Sequence, residues 1–273
     1  MLSSLRLNGS PLRHSRAGRV GRAFQRTLAL SALAACAVKA SPNAGLQAQP
    51  HSQAQTPAQA QPDTRPIVAV MYFTNSALVN NADYEPLSKG VAELLITELS
   101  RNRNIRVVER DRLQQLLDEQ NLSASGRVDK ETAVRVGKLL GAGHMLMGTF
   151  VIDTRENMRL DVRAVNTETG EIAYVESIEG KSSKMLSMIS DLGVKVNGGL
   201  KLPSRPADAP KFSDAGGKNP NQFRAMLLLS RAIEEQDRKN VPAAVAFYKQ
   251  AIEVNPDFER AKVLLATLER GTP

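Results

Sequence analysis

Ile67-Val68-Ala69-Val70-Met71-Tyr72-Phe73 is the stretch on which the fold turns. The run is apolar throughout and opens with β-branched residues, so it predicts a strand buried on both faces. Such a strand needs a layer on each side, and the residues after it supply helices. Leu87, Val91, Leu94, Leu95 and Leu99 recur at helical spacing and predict an amphipathic helix. Ile105 to Val108 reads as a short second strand. Asp111 is expected to cap the next helix, with Gln114 at its third position and Leu113, Leu116 and Leu117 facing inward. Asp129 opens another helix through Ala133, Val136, Leu139 and Leu140, stopped by Gly141.

Beyond Gly141 the period changes. Met145 to Ile152 is mostly apolar, and Met158-Arg159-Leu160-Asp161-Val162-Arg163-Ala164 alternates strictly, as a strand with one buried face does. Asn166-Thr167-Glu168-Thr169-Gly170 has the residues of a tight turn between antiparallel strands, with Gly170 free to take positive φ. Ile172 to Ile178 pairs back, and a last helix carries Met185, Met188, Ile189, Leu192 and Val196. The expected class is α/β: residues 66–202 form a mixed-sheet α/β sandwich, and a small all-α domain follows.

That second piece, residues 221–270, follows the tetratricopeptide pattern. Leu228 and Ala232 fall on a first helix, Ala244, Tyr248 and Ala251 on a second, and Pro256 closes the unit. Glu235 stands where the pattern has an aromatic residue. The expectation is one repeat plus a capping helix. Met226, Leu229 and Ile233 form an apolar face on the first helix that either binds a partner peptide or docks on the α/β domain. Residues 203–220, with several prolines and glycines, read as a linker.

Ahead of the strand lie two segments of another kind. Residues 1–36 are an Arg-rich, acid-free leader, a short apolar core and Leu33-Ala34-Ala35-Cys36, which looks like a lipobox with Cys36 as the acylated residue. The apolar core is shorter than the ~20 residues of a spanning helix. Cleavage after Val38-Lys39-Ala40 is the other reading, and both export the chain. Residues 37–65 are Gln, Ala, Pro and Ser with almost no large apolar residue, the composition of a disordered tether.

The net charge of +8 misleads, because six arginines of the leader account for six of those charges and +2 remains. With no Trp and 4% aromatics, nucleic-acid binding is excluded as a function class. One cysteine allows no internal disulfide. The three histidines, His14, His51 and His144, lie far apart in sequence without cysteine at ligand spacing, so no metal site is expected. Gly141-Ala142-Gly143 lacks the Lys and Ser/Thr of a phosphate loop and runs from helix into strand. No nucleophile elbow is present, and neither a catalytic group nor a cofactor is expected.

The α/β piece resembles the CsgG family, the curli production assembly/transport lipoproteins. The resemblance lies in the strand Ile67 to Phe73 and its helix, and in Val107-Val108-Glu109-Arg110-Asp111-Arg112-Leu113-Gln114-Gln115-Leu116-Leu117-Asp118-Glu119-Gln120. It continues in Gly141-Ala142-Gly143-His144-Met145-Leu146-Met147-Gly148 and the Thr167 to Glu171 turn. It implies a non-enzymatic lipoprotein of the periplasm, tethered to the outer membrane, that assembles or secretes surface structures through protein partners. Between Gly148 and Gly180 there is room only for the domain's own strands, without the long hairpins of an export pore. Two further readings stay open: a homo-oligomeric channel subunit of the outer membrane, and a scaffold module like the N-terminal domain of TolB.

Overall fold

The computed structural model describes residues 63–122, 129–208 and 219–271. All belong to one compact unit, Ala60–Pro273. The leader, the lipobox with Cys36, most of the tether and residues 209–218 of the expected linker lie outside the described residues.

A mixed sheet of six strands forms the centre. The expected first strand is β1 (Ile67–Val70), followed by the short β2 (Thr74–Asn75). The others are β3 (Arg106–Val107), β4 (His144–Ile152), β5 (Asn157–Asn166) and β6 (Ile172–Lys181). Their order is β3-β1-β4-β5-β6, with β2 beside β4. β1 pairs parallel with β3 and β4, whereas β4, β5 and β6 form an antiparallel meander. The turn at residues 166–170 is as the residues demand: Asn166 Oδ1 accepts from the amide of Glu168 at 2.8 Å, and Gly170 has φ 71°.

β1 separates two cores. Val68 and Val70 pack with α2 (Leu87–Ser100) and α5 (Met185–Gly199); Ala69 and Met71 pack with α3 (Arg110–Glu119) and α4 (Lys130–Leu139). A one-turn helix α1 (Asn81–Tyr84) precedes α2. Asp129 caps α4 as expected, accepting from the amide of Thr132 at 2.7 Å. Leu139 does not face inward; it is 53% exposed, whereas Ala133, Val136 and Leu140 form the buried stripe of α4 and its C-cap.

The C-terminal piece is helical: α6 (Gln222–Asp237), α7 (Val241–Val254) and α8 (Glu259–Gly271). Ala225, Ala232, Ala244, Ala251 and Ala261 are fully buried, and these small side chains let the helices approach closely. Tyr248 is buried as well, and its hydroxyl donates to Gln236 Oε1 at 2.9 Å. The larger core runs without a break from β1 through α2 into α6, α7 and α8. The two compositionally different pieces therefore share one interior.

Gly90 of α2 makes this junction possible. A Cβ there would lie 1.9 Å from the Ser230 hydroxyl and 2.7 Å from the Met226 methyl, both on α6. Gly90→Val is expected to force α6 off α2 and cost about 1–3 kcal/mol, the scale of overpacking a filled core. Chemical denaturation measures the loss.

Candidate functional site

The junction of the sheet domain with the helical piece is held by charge as well as by apolar packing. Its hub is Arg110, the first residue of α3. Arg110 is spaced in phase with Leu113 and Leu117, so it sits on the inward stripe of the helix, and its side chain is 4% exposed. Nη1 donates to Asp237 Oδ1 of α6 at 2.7 Å, and Nε stands 3.4 Å from Glu93 Oε2 of α2. Asp237 also accepts from Lys89 Nζ at 2.5 Å, and Glu93 accepts from Arg260 Nε of α8 at 2.6 Å. Lys89, Arg110 and Arg260 are thus matched with Glu93 and Asp237 across four helices.

Asp111 was expected as a cap. The helix instead starts two residues earlier, after extended Glu109, which makes no side-chain cap bond. Asp111 lies in the first turn and accepts from Arg110 Nη2 at 2.5 Å. Gln114 does not reach back to the helix start either: its Oε1 accepts from the Tyr72 hydroxyl at 2.7 Å and its Nε2 donates to Asp118 at 2.8 Å. Burial pushes the Tyr72 phenol well above its ordinary value, so it stays neutral and donates. Polar residues read as capping chemistry therefore complete the shell of the buried arginine.

Met226, Leu229 and Ile233 are fully buried. They belong to the same core as α2, so their face is taken up by the chain itself and offers no surface to a partner peptide. The physical reason is α2: its residues are buried almost all round, and the face turned from the sheet needs a cover.

A second fastening lies at the far end of α2. Residues 203–205, expected as the start of a linker, are bonded down. Asn102 Nδ2 donates to the Pro203 carbonyl and Asn104 Nδ2 to that of Ser204, both at 2.7 Å. Arg205 Nη1 donates to Glu98 Oε1 at 2.7 Å. Glu98 is almost wholly buried, and burial raises its carboxyl above the ordinary glutamate value although Arg205 and Arg101 work the other way.

Elsewhere the described polar groups are single or paired with one another. His144 starts β4, and burial lowers its imidazole below the usual histidine value. On the solvent face of β5 and β6, Asp161 accepts from Arg159 Nε at 2.9 Å and from the Ser177 hydroxyl at 2.5 Å, and Arg159 also reaches Glu179 at 3.1 Å. Among the described residues no group of three or more His, Cys, Asp or Glu side chains is placed to hold a metal. None of the described helices is long and apolar enough to cross a membrane. The carboxylates of the Arg110 site are all matched by cations. The arrangement can hold modules together; it offers no free base or nucleophile.

The model of the family described as curli production assembly/transport component CsgG matches residues 48–153. The matched segment takes in β1 to β4 and is similar to that family. No curated protein matches the chain. Among solved structures, the LpoB C-terminal domain from Escherichia coli is 15% identical over 42% of this chain and 82% of its own, with a TM-score of 0.33. TolB from Acinetobacter baumannii is 14% identical over 51% of this chain and 29% of its own, with a TM-score of 0.35. The PelC dodecamer from Paraburkholderia phytofirmans is 14% identical over 51% and 90%, with a TM-score of 0.29. At these values the likenesses carry no functional argument. The CsgG-like segment contains Glu93 and Arg110, while their partners Asp237 and Arg260 come from outside it.

Removing one member of a buried ion network leaves its partners uncompensated. Arg110→Met is expected to destabilise the protein by ~3–5 kcal/mol. Arg238→Met, at an exposed pair with Glu234 and Glu235, is expected to cost under ~1 kcal/mol. Urea denaturation of both variants compares the two sites.

The raised carboxyl of Glu98 sets a pH dependence. It holds its proton to higher pH when folded than when unfolded, so its contribution is fully present below the unfolded value and is lost as pH rises through the folded one. The stability of the wild type relative to Glu98→Gln should therefore rise as pH is lowered from neutrality. Parallel denaturation curves at several pH values measure it.

Proposed function

We propose that this chain is a non-enzymatic lipoprotein of the bacterial envelope, of the CsgG-like type, that helps assemble or secrete surface structures through protein contacts. The family match over residues 48–153 carries the reading. The lipobox at Leu33 to Cys36 and the Gln/Pro-rich segment behind it support export and tethering, with the periplasmic side of the outer membrane as destination. The helical piece is read as a tetratricopeptide-like repeat, α6 and α7, closed by α8. Its inner face is used on α2, so partner contacts fall to its remaining surface and to the solvent face of β4–β6.

The protein acts without forming a pore. The β4–β5 turn spans only residues 153–156, and β5 returns to β6 within residues 167–171. The three strands of the meander each turn one face to the core, with Leu160, Val162 and Phe150 buried there. These strands are taken up in the domain's own sheet, and the short turns between them add no further hairpin.

Mass spectrometry of the mature N-terminus is expected to find Cys36 carrying a diacylglycerol thioether. A chain beginning at Ser41 would overturn the lipoprotein reading. Purified protein in planar bilayers is expected to pass no ion current, and regular single-channel steps would favour the oligomeric channel instead.

A further inference from the structure

The chain enters the described fold at one corner of the sheet, and that corner is basic. Arg65 Nη1 donates to the Arg103 carbonyl at 2.9 Å, which pins the entering segment to the turn after α2. The same guanidinium pairs with Asp63 at 2.7 Å, and Arg106 stands 3.6 Å from that carboxylate, so two arginines share one acid. Arg103 and Lys201 are exposed and have no carboxylate partner among the described residues. Lys201 is brought to this corner because residues 203 and 204 are bonded to Asn102 and Asn104. The nearby Glu98 is buried and occupied by Arg205, so it neutralises none of the exposed cations.

We infer that this corner faces a membrane, with Arg65, Arg103, Arg106 and Lys201 binding the anionic headgroups of the leaflet that holds the anchor. The inference rests on the lipid-anchored reading proposed above. Two observations lead to the membrane as partner. One is charge: Arg65 and Arg106 share the carboxylate of Asp63, and Arg103 and Lys201 are exposed on segments bonded down at that corner. The other is where the tether ends. Residues 37–62 lead into Asp63, so the part of the fold held nearest to an acylated Cys36 is this corner. A coil of that length and Gln/Ala/Pro/Ser composition would have a root-mean-square span of roughly 30 Å. A surface held so near the bilayer meets it at high effective concentration, and each added lysine or arginine contact strengthens attraction about fivefold.

The test uses the chain from Ala37 to Pro273 without lipid, sedimented with phosphatidylcholine vesicles that contain or lack phosphatidylglycerol. Binding is expected only to the anionic vesicles and should fall as salt is raised. The double variant Arg103→Glu/Lys201→Glu should weaken it at least about tenfold. Lys249→Glu/Lys262→Glu, on the helical piece, should leave it unchanged. Both variants alter exposed side chains, and an unchanged unfolding midpoint checks that each is folded. The outcome is separable from the lipoprotein reading, which is decided by the mass of the mature N-terminus. No binding, binding independent of phosphatidylglycerol, or equal loss in both double variants overturns the inference.

Discussion

Helix α2 has almost no solvent face, and the architecture follows from that. Eleven of its fourteen residues are buried, so the helix must be covered on the side away from the sheet as well as on the sheet itself. The sheet and α5 take one side. The helical piece takes the other, with Gly90 admitting Ser230 and Met226 at close range. A helix buried almost all round lies in an interior. Here that interior is completed by residues far along the chain.

Burying such a helix brings in two carboxylates, Glu93 and Glu98, and each has been given cations from other elements. Glu93 receives Arg260 and stands beside Arg110; Glu98 receives Arg205. The energy of such pairs is mostly spent on desolvation, so they add little net stability over an apolar equivalent. They do specify arrangement, because a helix docked one turn away would leave Asp237 or Glu93 without its partner. The apolar faces drive the docking and the charges set its register.

The sheet domain with the helical piece clamped to it leaves chemically different surfaces exposed. The sheet end where the tether joins is basic, the solvent face of β5 and β6 is a ladder of paired charges, and the helical piece lies against α2.

Much of this was legible in the residues. Apolar runs against strict alternation separate β1, buried on both faces, from β5, buried on one. The spacing of Leu87 to Leu99 marks α2, and the small residues with Tyr248 and Pro256 mark the helical hairpin. Those features are local: they depend on the period of the side chains and on the backbone freedom of a few glycines. The role of Arg110 could not. Its spacing with Leu113 and Leu117 placed it on the inward stripe, but within Glu109-Arg110-Asp111-Arg112 it resembles any solvated charge. The fate of Met226, Leu229 and Ile233 was equally open, because an apolar face states only that it needs a cover. Which surface covers it, and which acid meets which cation, depends on contacts between residues more than a hundred positions apart, and only the tertiary structure decides those.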